Sequence, residues 1–238
     1  MKITYIHHSS FLVELTSGSL LFDYTKGKLP ELEQDKPLLV FASHRHLDHY
    51  SNKISELKNQ YKNTRFILSD DIWKQKKDIP DSVVTVMKPG QTHTESFVSE
   101  NGFNVEITTY QSTDEGVAFL VKAEGKTIYH AGDLNNWRWE GEPDDWNERM
   151  AENYSNEVDK MTGQSIDVAF LPLDPRQENG FYLGFDEFMR KIKVSRAFPM
   201  HCWGDFSVIQ RLKGMETSAP YRDKIIEIHK DEENFLIN

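Results

Sequence analysis

The chain has 238 residues, of which 38% are hydrophobic and 12% are aromatic, so it is long enough for one domain with a buried core. Its 28 basic and 38 acidic residues give a net charge of −10, and the negative phosphates of nucleic acid prefer a basic surface, so we expect no nucleic-acid partner. No apolar run approaches the roughly 20 residues that span a membrane. The N-terminus lacks a signal-peptide core, and the single cysteine fits a reducing compartment. We therefore expect one cytoplasmic domain over residues 1–238; a homo-oligomer is compatible with these features.

Short alternating runs open the chain and predict an antiparallel meander of strands, ITYI, FLVEL and SLLFDY. The continuous apolar run LLVFAS (38–43) predicts a strand that is buried on both faces. Ile54, Leu57 and Tyr61 then recur at helical spacing. The later predicted elements are strand 65–68, a short helix 70–76, strands at 83–87, near Ser96, at 103–110, 117–123 and 126–131, helix 144–161, strand 167–173, a helix through Phe185 and Ile192, strand 195–200 and a helix through Val208 and Leu212.

The order of these elements predicts the architecture. Strands come first, strand–helix units follow, and the same order then repeats. A single sheet with helices on one face would not need so many strands, whereas two packed sheets would use them all. We therefore predict an α/β fold, a four-layer αββα sandwich of two packed mixed sheets with helices outside.

The segment SHRHLDHYS (43–51) places three histidines and one aspartate within six positions, directly after the buried strand. In an extended chain, residues two apart point the same way, so His44 and His46 are predicted to face one metal ion. Asp48 and His49 lie beyond the turn and can project to a second point nearby. Taken alone, each residue is better explained as structural, and an aspartate near a helix start is usually a cap. The joint pattern predicts metal binding.

This HxHxDH pattern at the end of a buried strand resembles the signature of the metallo-β-lactamase superfamily. Asp133, in YHAGD, resembles the family's GD motif, whose carboxylate typically bridges two metals, and His201, in FPMHCW, resembles the late histidine of the second site. Asp23, in LLFDY, is similar to the aspartate that supports the histidine loop without binding metal. The start HHSSFLVEL resembles the branch that includes L-ascorbate-6-phosphate lactonase; there His8 would lie near the active-site mouth, as a substrate-binding residue.

The resemblance implies two metal sites that share one carboxylate. We expect one or two zinc ions per chain, with manganese or iron(II) as alternatives, since imidazole and carboxylate suit all three. The ligands implied are His44, His46 and Asp133 for site one, and Asp48, His49, His201 and Asp133 for site two.

One departure from the family concerns site one. The family supplies another histidine between the cluster and the GD motif, whereas TTYQSTDEG offers Gln111, or Ser112, at the matching place. A glutamine amide oxygen is a poor zinc ligand beside imidazole. Gln111 is therefore assigned to a site one that is weak or takes a different metal, and His130, just before the GD motif, is the alternative ligand.

The resemblance also implies a metal-dependent hydrolase of a small anionic ester, lactone or phosphoester. A metal lowers the pKa of bound water from 15.7 toward about 7 and so provides a hydroxide nucleophile at neutral pH. Asp48 is the predicted catalytic carboxylate, which orients this nucleophile and relays a proton. No GxSxG or GxxxxGK motif offers another mechanism.

Two segments supply candidates for substrate binding. DLNNWRWEGEPDDW begins at Asp133, so Asn135, Asn136 and Trp137 are assigned to the rim of the metal centre, with aromatic packing of the loop as the alternative. Arg176, in PLDPRQENG, follows a strand that should end on the same side, and it is suited to pair with a phosphate or carboxylate.

Two other functions are compatible with these residues. A phosphodiesterase or nuclease of the same superfamily is disfavoured by the acidic composition. A non-catalytic metal-binding descendant would explain the missing histidine of site one. It predicts bound metal without turnover of activated ester, lactone or phosphodiester probes.

Overall fold

Strands and helices alternate in the predicted order in the computed structural model, which describes residues 1–72, 76, 78–98 and 102–237. The α-helices are α1 Leu57–Gln60, α2 Asp144–Asp159, α3 Leu183–Lys191 and α4 Ser207–Gly214. The strands are β1 Lys2–His7, β2 Ser10–Glu14, β3 Ser19–Phe22, β4 Leu38–Ala42, β5 Thr64–Ser69, β6 Val84–Met87, β7 Thr92–Phe97, β8 Phe103–Gln111, β9 Val117–Ala123, β10 Lys126–His130, β11 Ser165–Pro172, β12 Lys193–Met200 and β13 Glu233–Leu236.

These strands form two mixed sheets. The first has the order β13-β1-β2-β3-β4-β5-β6, antiparallel from β13 to β3 and parallel from β3 to β6. The second has the order β12-β11-β10-β9-β8-β7, parallel from β12 to β10 and antiparallel beyond. Each sheet therefore carries a group of parallel strands whose carboxyl ends lie at one edge, where binding sites of such sheets form.

The two sheets pack face to face through aromatic and aliphatic side chains. Phe11 of the first sheet stacks on Phe170 of the second, with ring centroids 4.0 Å apart. The outer face of the first sheet is covered by the turn and helix around Ile54. The outer face of the second is covered by the long helices, where Tyr129 stacks on Phe188 of α3 at 4.8 Å. The predicted four-layer αββα sandwich is confirmed.

The element predictions differ from the structure in a few places. The helix after the histidine cluster is a 3-10 turn, Asn52–Glu56, followed by the four-residue α1. Strand β13 was not predicted, because it is an edge strand with alternating exposure and its pairing partner β1 lies at the other end of the chain. The predicted short helix 70–76 lies partly outside the described residues. Among the described residues, no helix has the length and apolar character that crossing a bilayer requires.

Candidate metal centre

The candidate site lies where the carboxyl ends of strands from both sheets meet. Parallel strands bring residues that are distant in sequence to one edge, and each key side chain lies within three residues after such an end. In the first sheet these residues are His8 after β1, Asp23 after β3 and His44 after β4; in the second they are Asp133 after β10, Asp174 after β11 and His201 after β12.

The first group of donor atoms corresponds to predicted site one. Atoms of His44, His46 and Asp133 all lie within 4.8 Å of one another. Nε2 of His44 is 3.5 Å from Oδ2 of Asp133. The His44 ring is fully buried, whereas 42% of the His46 side chain is exposed. One side of this group of ligand atoms is therefore inside the protein, and the other side is at the surface.

The second group contains three of the four ligands predicted for site two, Asp48, His49 and His201, and has His8 in place of Asp133. Donor atoms of Asp48, His49, His201 and His8 lie within 4.8 Å of one another. Nε2 of His201 is 3.8 Å from Oδ2 of Asp48. Nε2 of His8 is 3.3 Å from the same oxygen. The sequence placed His8 at the mouth of the site, and the structure brings it into the donor group itself.

Asp133 lies between the two groups and turns one oxygen toward each. Oδ2 faces His44, and Oδ1 lies 3.2 Å from Nε2 of His49. The preceding residue, Gly132, allows the backbone to place Asp133 here. Its φ is +51°, and a Cβ atom on it would lie 2.7 Å from Cβ of Ser43. A side chain at Gly132 would push the carboxylate away from the histidines. The arrangement is that of a bridging carboxylate.

The donor set fits a divalent transition metal. A buried polar atom without a hydrogen-bond partner costs about 1–3 kcal/mol of stability. Among the described residues, several such atoms converge at this site. Imidazole nitrogens and carboxylate oxygens are the common ligands of zinc, manganese and iron. The buried atoms without a hydrogen-bond partner include Nε2 of His8, His44, His49 and His201 and Oδ1 of Asp133.

The electrostatics of the two groups also favour a bound cation. Burial, together with the neighbouring His49, lowers the pKa of His44 to about 4, so its imidazole is neutral, as a ligand must be. Burial acts to lower the pKa of His49 as well, but Asp133 and Asp23 raise it well above the usual value. The neighbouring carboxylates thus favour a positive charge at this position, and a bound metal ion would provide that charge.

Asp23 holds the histidine loop from below. It is fully buried; its Oδ1 accepts from the backbone N–H of Ser43 at 2.7 Å, and its Oδ2 accepts from the Ser43 hydroxyl at 2.6 Å. Oδ2 also accepts from Nδ1 of His49 at 2.7 Å. In the neutral ring that a metal ion requires, this bond keeps the proton on Nδ1, so that the lone pair of Nε2 faces the site. Asp23 therefore orients a donor without itself facing the donor groups.

Asp174 does the same for His201, and sequence reasoning missed it. Its buried carboxylate accepts from Nδ1 of His201 at 2.8 Å and from Nε1 of Trp203 at 3.1 Å. Burial acts to raise the pKa of Asp174, but hydrogen bonds from His201 and Arg176 lower it to about 2. The available signal was its position: Asp174 ends the apolar run DVAFLPL just as Asp23 ends SLLF.

The predicted substrate-binding residues divide into two kinds. Trp137 and Arg176 line a cavity of about 340 Å³ beside the donor groups. The Arg176 guanidinium is paired with Asp174 and lies 4.2 Å from the ring centre of Trp203, so it is held in place. Trp137 donates from Nε1 to the backbone oxygen of Asp133 at 2.8 Å and thereby fixes the loop that carries that carboxylate.

Asn135 and Asn136 require a correction, because neither lines this cavity. Both are buried in packing between loops. The Asn135 amide donates to Oε1 of Gln177 at 3.0 Å, and the backbone oxygen of Asn136 accepts from the Gln177 amide at 2.8 Å. They fix the loop after the GD motif, so their assignment to substrate was wrong.

Gln111 and His130 also require correction as candidate ligands. Gln111 is exposed at the end of β8, donates to the carbonyl of Ser112 at 3.2 Å, and lines a separate depression beside α2 with Glu157. His130 is fully buried, and both of its ring nitrogens are engaged, Nε2 with the Ser9 carbonyl at 2.9 Å and Nδ1 with the Gly132 N–H at 3.1 Å. No lone pair of His130 is left for a metal.

A second, larger cavity reaches the donor groups from the other side. It has a volume of about 1100 Å³, and Lys26, Lys230 and His8 are among its lining residues. Asp48 and Trp203 line both cavities and so stand between them.

Comparison with known proteins agrees with this geometry. Residues 2–142, more than half of the chain, match the profile of the beta-lactamase superfamily domain. The UPF0173 metal-dependent hydrolase of Thermococcus kodakarensis is 26% identical over 147 residues, which are 56% of this chain and 61% of that protein. The match thus spans about three-fifths of the length of that relative.

Two further proteins match over greater lengths. The UPF0173 metal-dependent hydrolase of Anoxybacillus flavithermus is 26% identical over 235 residues, 89% of each chain. The solved structure of Igni18, a metallo hydrolase from Ignicoccus hospitalis, superposes with a TM-score of 0.61 at 16% identity, over 100% of this chain and 99% of that one, and supports the fold. From the profile match, the two-sheet fold and the donor groups at the strand ends, we conclude that the chain belongs to the metallo-β-lactamase superfamily.

Proposed function

We propose that this protein is a metal-dependent hydrolase of a small anionic ester, lactone or phosphoester. The observation that carries the proposal is the pair of donor groups that face each other across Asp133, next to open cavities. Zinc is the proposed ion, with manganese or iron(II) as alternatives. When bound, such an ion lowers the pKa of water and polarises a carbonyl or phosphoryl oxygen.

Asp48 is the proposed proton acceptor of the reaction. Burial acts to raise its pKa, but the neighbouring His8 and His49 rings hold the pKa of Asp48 well below its usual value. Its side chain is 33% exposed and lies between the two cavities. An ionised carboxylate in this place can orient an attacking water and take its proton.

The larger cavity supports an anionic substrate. Lys26 and Lys230 line it, and in the described part of the chain neither has an ion-pair partner within 4.0 Å. Asp231, which also lines it, is paired with His7 at 2.8 Å. The cavity thus presents two ammonium groups whose charge is not neutralised by a neighbouring carboxylate. A phosphate or carboxylate on the substrate would supply that partner.

The proposed function is tested by hydrolysis assays on the purified chain, with and without added Zn²⁺ or Mn²⁺. The probes are an aryl ester, an aryl lactone and bis(p-nitrophenyl) phosphate, and His49→Ala is the inactive control. We expect metal-dependent turnover of at least one probe by the wild type and none by His49→Ala. Bound metal without turnover of any probe would contradict the hydrolase and favour the non-catalytic metal-binding alternative.

A further inference from the structure

The turn over residues 112–116 brings two acidic side chains to His46. Oδ2 of Asp114 is 3.8 Å from Nδ1 of His46, and Oε2 of Glu115 is 3.4 Å from Nε2 of the same ring. Each nitrogen of this imidazole therefore faces one carboxylate. Asp114 also lines the cavity that contains Asp133.

This turn is fixed against the histidine segment by its backbone. The N–H of Val117 donates to the carbonyl of Ser43 at 2.9 Å. Gly116 has a φ of +68°, and a Cβ atom there would lie 2.0 Å from the Ser43 carbonyl oxygen, so the two segments touch. The Thr113 hydroxyl donates to the carbonyl of Asn135 at 2.6 Å and ties the turn to the GD loop. The position of Asp114 is thus set by both halves of the metal centre.

We propose that Asp114 is the fourth protein ligand of site one, beside His44, His46 and Asp133, in the role that the missing histidine leaves open. Glu115 lies 3.4 Å from Nε2 of His46 and favours the ring proton on that nitrogen, which leaves the lone pair of Nδ1 for an ion. Ligands about 2.1 Å from one ion lie about 3.5 Å apart, close to the separation of Asp114 and His46. The fully buried and unpaired Nε2 of His44 belongs to the same donor group.

The proposed ligands change the chemistry of site one. His44, His46 and Asp114, with the shared Asp133, give two imidazoles and two carboxylates. Oxygen ligands suit manganese and iron(II) better than a set of three imidazoles does. Site one should therefore take Mn²⁺ readily, whereas site two keeps two or three imidazoles. This inference rests on the metal centre of the proposed function.

Metal binding, rather than activity, tests the proposal. The metal-free chain is titrated with Mn²⁺ and Zn²⁺ by calorimetry, and ions per chain are counted by elemental analysis. The variants are Asp114→Ala and Asp114→His, with Gln111→Ala as the matched control, because Gln111 lies three residues away and outside the donor groups. We expect two ions in the wild type, a loss of at least about 10-fold in affinity at one site in Asp114→Ala, tight zinc binding in Asp114→His, and no change in Gln111→Ala.

The other outcomes distinguish a failure of the Asp114 assignment from a failure of the proposed function. If wild-type and Asp114→Ala chains bind the same number of ions with the same affinities, Asp114 is not a ligand, although the hydrolase proposal stands. If the wild type binds no ion, both proposals fail. Thermal unfolding of the metal-free variants monitors folding, and Asp114→Asn provides a second variant of nearly unchanged volume.

Discussion

Asp174 accepts a hydrogen bond from Nδ1 of His201 at 2.8 Å, and both side chains are buried. The bond holds the ring so that Nε2 points to the second donor group. Replacing Asp174 with Ala should therefore weaken metal binding at site two by about 10–100-fold, the usual effect of removing such a partner. Competition with a chromogenic chelator measures the change. The exposed Asp223 provides the control, since Asp223→Ala should leave the affinity unchanged; an equal affinity in Asp174→Ala would refute the orienting role.

The buried Asp23–His49 pair should contribute much more to stability than a similar exposed pair. Asp23→Ala would leave the Ser43 N–H and hydroxyl and the His49 ring without their buried acceptor, so we expect a loss of about 3–5 kcal/mol in the free energy of unfolding. Asp231→Ala removes the exposed partner of His7 and should cost about 0–1 kcal/mol. Urea unfolding of the metal-free chains compares the two. Similar losses in both variants would contradict the proposed role of burial.

Lys26 and Lys230 should determine the preference for anionic substrates. Each Lys→Ala change is expected to raise the KM for an anionic substrate about 3–10-fold with little change in kcat, which corresponds to about 1 kcal/mol of lost attraction. The effect should shrink at high salt, because the charges are exposed. Steady-state kinetics at two salt concentrations would measure it, with Lys122→Ala on β9 as control. A neutral ester that responds equally would show that charge is not the cause.

We expect Glu124, which lies away from the metal centre, to contribute to stability in a pH-dependent way. Its carboxylate accepts from the N–H groups of Thr16 and Ser17 at 2.9 and 2.6 Å, which joins a turn of one sheet to a turn of the other. Burial acts to raise the pKa of Glu124, but these hydrogen bonds lower it overall. A lowered pKa in the folded state means that the contribution is present above about pH 4.3, the ordinary carboxyl value, and is lost as the pH falls through the folded-state pKa.

Glu124→Gln should therefore lower the free energy of unfolding by about 1 kcal/mol at pH 7, a modest value because the side chain is exposed. The difference from the wild type should vanish at acidic pH, where both side chains are neutral. Urea unfolding from pH 7 down to about pH 3.5 would follow it, with Glu106→Gln as an exposed control. A difference that does not depend on pH would mean that the carboxylate charge is not responsible.

The order of elements and the main donor residues could be predicted because they depend on local patterns. LLVFA is apolar at every position, so a buried strand was expected, and β4 is fully buried. His44 and His46 follow that strand two positions apart, and they do enter the same donor group. Asp133 and His201 were found through motifs of a few residues each. In these cases the information lies within a single segment.

Other parts of the site depend on contacts between segments that are distant in sequence. Gln111 and Asp114 are three positions apart, and only the docking of Gly116 on Ser43 decides that Asp114 reaches His46. His130 resembles a ligand in sequence, but its partners, Ser9 and Gly132, engage both ring nitrogens.

The layer order and the histidine cluster could be predicted from the amino-acid sequence, since strand periodicity and short motifs are local properties, and the resemblance to a known family added Asp133. Contacts between distant segments place Asp174 against His201 and bring His8 into the second donor group. Contacts of the same kind hold Asn135 and Asn136 against Gln177. The physical reason is that a side chain beyond a strand end has no periodicity to direct it; its direction depends on the turn that carries it and on the buried groups that must find hydrogen-bond partners.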